Sequence, residues 1–141
     1  LVREAGGRIE VLATYPSLRL LPDSIESLYP QGQASTEMAE YSEKRRVVPS
    51  GAEQESKQLD AIFVIAKAEH GPSVRALSPS DACIQLTRQT FLLDPSDMRQ
   101  AAAMLSRTAR LVESVPCFGL EIPHRFEELP KVHRLLAEIL R

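Results

Sequence analysis

Up to Leu77 the apolar residues of this chain come in short runs and alternations broken by glycine and proline. From Ser78 onward they recur three and four positions apart. The first pattern predicts strands and the second amphipathic helices. Leu1–Glu4 and Arg8–Thr14 flank Ala5-Gly6-Gly7, and a pair of glycines suits the positive φ of a tight hairpin turn. Leu18–Leu21 reads as a short strand that breaks at Pro22 into a small helix over about Asp23–Tyr29, with Asp23 or Ser24 able to cap it. Pro30–Thr36 is a loop by composition, Lys44–Val48 a further strand, and Pro49–Lys57 a polar connector. The strongest strand signal is Gln58–Lys67. Its centre, Ala61–Ala66, is apolar throughout, which suits a strand covered on both faces. After the turn at His70-Gly71-Pro72, Ser73–Leu77 is expected to be its antiparallel neighbour.

Ser78-Pro79 signals a helix start, with Ser78 as cap and proline in the first turn, and that helix should run to about Thr90. The next is expected from a cap at Ser96 to about Ser114, with Met98, Ala101, Ala102, Leu105, Ala109 and Val112 on its core face. Val115–Ile122 reads as an edge strand, because Pro116 interrupts it early. A last helix over about Pro130–Leu140 places Val132, Leu135, Leu136 and Ile139 on one face. The predicted class is α/β in the mixed α+β sense: residues 1–77 mainly strand with a short helix near 23–29, residues 78–141 mainly helix with one strand near 117–122. The expected architecture is a mixed, partly antiparallel sheet with about three C-terminal helices at one end.

At 141 residues the chain is one domain's worth, or a large part of one. It carries 17 basic and 19 acidic residues, a formal charge of −2, with 5% aromatic residues. No global positive field recruits nucleic acid, and few rings are available for base stacking. No run approaches the roughly 18 apolar residues of a membrane span. The start, Leu1-Val-Arg-Glu, has neither the basic nor the apolar region of a signal peptide. Lacking an initiator Met and opening on a half-paired hairpin, the chain is expected to be the C-terminal part of a longer polypeptide. Cys83 and Cys117, far apart in sequence, read as two reduced, buried thiols of a cytosolic protein, with a disulfide as the alternative.

Lys44-Arg45-Arg46 is the leading candidate for chemistry. On a strand, Lys44 and Arg46 point to one face and Arg45 to the other. Two cations on one face can hold a phosphate or carboxylate; the competing reading is a solvated edge strand whose charges deter aggregation. Arg19 and Asp23 bracket the strand-to-helix junction, where Arg19 can face a substrate anion or Asp23 can simply be a cap. His70, His124 and His133 lack close metal-ligand spacing, so no zinc site is expected. The chain contains no Gly-x-x-x-x-Gly-Lys-Ser/Thr, no Gly-x-Gly-x-x-Gly and no Gly-x-Ser-x-Gly.

Tyr15-Pro-Ser-Leu-Arg-Leu-Leu-Pro-Asp-Ser-Ile-Glu-Ser-Leu28, the Lys44-Arg45-Arg46-Val47 block, the apolar strand Leu59–Ala66, Leu77-Ser-Pro, Arg88-Gln-Thr-Phe and the closing helix together resemble the C-terminal half of bacterial proteins related to HPr serine kinase. These carry a phosphoenolpyruvate-carboxykinase-like nucleotide-binding fold and occur with lasso-peptide and other modified-peptide gene clusters. The resemblance implies a cytoplasmic, ATP- and Mg²⁺-dependent kinase acting on a serine or other hydroxyl of a protein or peptide, built as part of a larger P-loop kinase domain. It places the P-loop and the metal-binding acids before Leu1, in a missing half that is covalent or separate, and makes self-association plausible. It implies that Lys44 and Arg46 act on the transferring phosphate, that Lys44, Arg45 and Arg46 bind the nucleotide, and that Arg19 and Asp23 border the acceptor. This chain alone would then be inactive. The alternative is a peptide- or protein-binding module of related fold that performs no chemistry.

Overall fold

The computed structural model describes residues 2–12, 15, 17–49, 56–90 and 96–141. The architecture is mixed α+β, with strands in three small sheets and helices concentrated after Ser78. Contacts divide the chain into two compact units, Leu1–Ala5 with Glu10–Lys57, and Gly6–Ile9 with Gln58–Arg141. Strand β1 (Val2–Ala5) and strand β2 (Arg8–Val11) form the expected hairpin, and Gly6 and Gly7 both have positive φ, +59° and +75°. Such a turn matches the right-handed strand twist, which is why two glycines occupy it. Ala13 and Thr14, at the expected end of the second strand, lie outside the described residues.

In the first unit, β3 (Leu18–Leu20), β4 (Ser35–Ala39) and β5 (Ser42–Val47) form an antiparallel sheet of order β3-β5-β4. Strand β4 begins inside the expected loop. Ser-Thr-Glu-Met-Ala has too little apolar character to signal a strand, and its pairing with β5 supplies the order. The alternation along β5 buries Val47 completely, opposite Leu18 and Ser35. Helix α1 (Pro22–Leu28) starts one residue earlier than expected, with proline in its first turn and Leu21 as N-cap. Neither Asp23 nor Ser24 caps it; both are already helical, and Asp23 Oδ1 accepts from the Ser24 backbone N–H at 2.7 Å.

The second unit is built on β7 (Ile62–Lys67), β8 (Ser73–Ala76) and β9 (Cys117–Ile122), in the order β7-β9-β8. The expected strand 58–67 is broken: a two-residue strand β6 (Lys57–Gln58) joins β1 and β2 in the order β1-β2-β6, and β7 starts afresh at Ile62. Two further expectations are corrected. Strand β8 pairs with β9 and not with β7, and β9 is central. Pro116 stands before the first ladder pair, where its missing N–H costs nothing, and its carbonyl accepts from Ile62 N–H at 3.0 Å. Parallel β7 and β9 need a long crossover; helices α2 (Pro79–Gln89) and α3 (Met98–Ser114) lie between them in sequence. Phe63 and Phe118, side by side in register, stack with centroids 5.3 Å apart. Strand β7 is not covered along both faces, since Ile65 is 66% exposed.

Ser78 caps α2, accepting from the Asp81 N–H at 3.1 Å. Ala82 and Val112 pack with Cys117, and Ile62, Leu77, Cys83 and Leu86 close around them. Helix α3 is capped by Asp97, not Ser96: Asp97 Oδ1 accepts from Arg99 and Gln100 N–H at 2.9 and 3.1 Å. Its inner face keeps the expected Val112, with Ala101 and Ala109 half-buried, but turns away from Met98, Ala102 and Leu105. Thr108 and Val112 are buried, with Met104 and Leu111 half-buried, while Met98 is 76% exposed and Leu105 points outward. Helix α4 (Leu129–Ile139) presents the expected face, with Val132 buried and Leu135, Leu136 and Ile139 half-buried. Among the described residues no helix is long and apolar enough to cross a membrane.

Candidate functional site

The cations of the sequence motifs meet on one sheet face in the first unit. Antiparallel pairing sets Arg19 of β3 directly opposite Arg46 of β5, with Thr36 of β4 on the other side of Arg46. Both guanidiniums reach the ring of Tyr15, with Arg19 Cζ 5.9 Å and Arg46 Cζ 5.5 Å from its centroid. That is within cation–π range, and it offsets the repulsion of two like charges placed across a ladder. Lys44 is exposed two positions from Arg46, hence on the same strand face. Among the described residues neither Arg19, Arg46 nor Lys44 makes an ion pair.

Arg45 turns the other way. Its Nε donates to Ser35 Oγ at 2.8 Å, and Nη1 lies 3.6 Å from Glu37 Oε1. Its guanidinium is therefore engaged within the sheet and not on the Arg19–Arg46 face. Asp23 sits in the first turn of α1 and makes no ion pair with Arg19. The partner that the fold brings to Arg19 is Arg46.

Tyr15 is held below the ordinary phenol range. The nearby Ser17 hydroxyl is the largest cause, partial desolvation opposes it, and the charges of Arg46 and Arg19 add to the lowering. Ser17 Oγ is itself buried without a hydrogen bond of full geometry, so it acts on the phenol as an adjacent dipole. Sequence reasoning assigned Tyr15 no role. The available signal was an aromatic ring four residues before Arg19 at the head of the same phrase.

Two adjacent guanidiniums that make no ion pair among the described residues suit a phosphate, because each can donate a planar pair of N–H groups to its oxygens. The same face does not suit Mg²⁺, which needs carboxylate oxygens. No cluster of three or more His, Cys, Asp or Glu that could hold a metal occurs among the described residues. The acids gather elsewhere in this unit: Glu37, Glu40 and Glu43, with Arg45 beside Glu37, line an open cleft of about 480 Å³ at the turn end of the β4–β5 hairpin, where the acids outnumber the one cation. An anion is thus drawn toward Arg19 and Arg46 and repelled from the hairpin tip.

The fold and site together define a mixed α+β chain carrying an exposed, aromatic-backed pair of arginines. No protein-family model matches it, and no curated protein or solved structure is similar enough to count as a relative.

Proposed function

We propose that the β3–β5 face holds the phosphoryl groups of a nucleotide, and that this chain is the C-terminal part of an ATP-dependent kinase acting on a serine or other hydroxyl of a protein or peptide. The observation that carries the reading is the register of Arg19 against Arg46, with both guanidiniums over Tyr15 and, among the described residues, neither in an ion pair with a carboxylate. Phosphoryl transfer is catalysed mainly by positioning and by cations around the transferring group, and a pair of this kind supplies both. Lys44 adds a point charge on the same face. Arg19 and Asp23 border the acceptor in this reading, and Arg45 braces the strand that carries Arg46. The phosphate-cradling loop and the Mg²⁺ ligands have to come from residues outside this sequence, which contains no such loop.

The test is phosphotransfer by the full-length gene product. Arg46→Ala, Arg19→Ala and Lys44→Ala should each lower turnover about tenfold or more, as loss of a transition-state cation does. Unchanged turnover in all three removes this face from the reaction. A binding module without chemistry is the second reading. It is favoured by β3 lying at an edge of its sheet, where an extended acidic peptide could pair beside Arg19. Peptide binding without any nucleotide binding by the full-length product would select it.

A further inference from the structure

The second unit contains a cavity that the phosphate reading does not use. It has a volume of about 120 Å³ and lies where the core under α2 runs out. At one end of this sheet face, Ile62, Cys117 and Leu77 are covered by Ala82 and Leu86. Further along the strands, Val64 and Ala66 of β7 and Gly119 and Glu121 of β9 face the last turns of α2. There the helix presents Gln85 and Gln89, four residues apart and so on one side of it.

Gly119 gives the cavity its cation. A side-chain carbon at this position would stand 3.5 Å from Cγ and Nε of Arg75, its register partner on β8. Arg75 thus lies across the bare backbone. Two residues on, Glu121 is opposite Ser73, whose hydroxyl donates to Glu121 Oε2 at 3.2 Å. Arg75 and Glu121 are therefore diagonal neighbours of opposite charge, both lining the cavity, and among the described residues they form no ion pair with each other.

We infer that this cavity binds a small zwitterion, an α-amino acid of glycine or alanine size, with its carboxylate on Arg75 and its ammonium on Glu121. The guanidinium fork matches a carboxylate. An ionised Glu121 accepts hydrogen bonds only, so it attracts an ammonium and repels a second anionic group. This disfavours a phosphate or dicarboxylate. Gln85 and Gln89 each offer donors and an acceptor to either end of the ligand. An apolar cavity of about 150 Å³ holds benzene, so this smaller one, open on one side, accommodates about the five heavy atoms of glycine, with the methyl of alanine at its mouth. The site involves no bond making, and it is independent of the arginine face in the first unit.

The test is calorimetric titration of the whole chain with glycine, alanine, acetate and methylamine, with amide NMR to locate the perturbed residues. Glycine or alanine should bind saturably and shift Gly119 and the Gln85 side-chain amide. Acetate and methylamine, each lacking one charge, should bind about tenfold more weakly or worse, as expected for loss of one charged contact. Arg75→Gln and Glu121→Gln should each weaken binding by about tenfold or more with an unchanged thermal midpoint, since both side chains are exposed. The inference is overturned if the folded wild-type chain binds neither amino acid, if acetate binds as tightly as glycine, or if Arg75→Gln binds normally.

Discussion

Arg45 donates from Nε to Ser35 Oγ at 2.8 Å across the β4–β5 ladder, on the face opposite to the one where Arg46 meets Tyr15. Two adjacent arginines therefore have separable roles, one bracing the sheet and one presenting charge.

Substitution should separate these roles. Arg45→Ala removes a charge-assisted hydrogen bond from a partly buried side chain and should cost about 1 kcal/mol in urea denaturation. Arg46→Ala relieves a like-charge pair with Arg19 and should leave stability unchanged or raise it by roughly 0.5 kcal/mol. Added salt should stabilise the wild type more than Arg46→Ala, because only the wild type has that repulsion to screen. Equal losses in both variants would contradict the division of labour.

Tyr15 reports on the same face. Its phenol is lowered by Ser17 first and then by Arg46 and Arg19, so Ser17→Ala, Arg46→Gln and Arg19→Gln should each move its ultraviolet titration upward toward the ordinary value. A lowered folded value means the native phenol loses its proton before the unfolded one. This contribution to stability is present above the unfolded value and is lost as pH falls through the folded one. A Tyr15 titration indifferent to Arg46 would show that the guanidinium is not held near the phenol.

The cysteines should differ in reactivity. Burial raises the Cys117 thiol, while Cys83 is only half-buried, so an alkylating reagent should modify Cys83 first and Cys117 at a rate set by unfolding. Because the folded value of Cys117 is raised, its stabilising contribution is full below the unfolded value and is lost as pH rises through the folded one. Cys117→Ala should remove that part of the alkaline decline in thermal midpoint. Modification of both thiols at one rate would disprove it.

The helix caps give a third comparison. Ser78→Ala and Asp97→Ala should each cost about 1 kcal/mol, since each side chain satisfies N–H groups at the start of α2 or α3. Asp97→Asn should lose much less, because the amide oxygen can still accept. Far-ultraviolet circular dichroism during urea denaturation provides the measurement, and a neutral Asp97→Ala would count against that cap.

Legibility in the sequence followed the range of the interaction. Gly6-Gly7, Ser78-Pro79 and the Val132–Ile139 stripe are local signals, and each produced the hairpin, helix start or helix face it announced. In α3 two stripes, one through Met98 and Leu105 and one through Met104 and Thr108, both fit helical spacing. Only packing against α2 and Cys117 decided between them, burying Thr108 and Val112 and turning Met98 and Leu105 outward. Ser96 and Asp97 are both good caps, and one residue of register separates them. At the candidate site, strand alternation already separated Lys44 and Arg46 from Arg45. That Arg46 would face Arg19 and not stand alone was a property of a pairing 27 positions apart in sequence.

By itself, the sequence determined what a few neighbouring residues can settle: turn dihedrals, caps, periodicity, and the absence of a phosphate-binding loop from these 141 residues. Tertiary structure alone decided that β9 enters between β7 and β8, that β4 exists, and that Arg19, Arg46 and Tyr15 converge. Backbone hydrogen bonding between strands is nearly indifferent to side-chain identity. Which strands pair is therefore chosen by the burial of whole faces, a quantity that no short stretch of sequence contains.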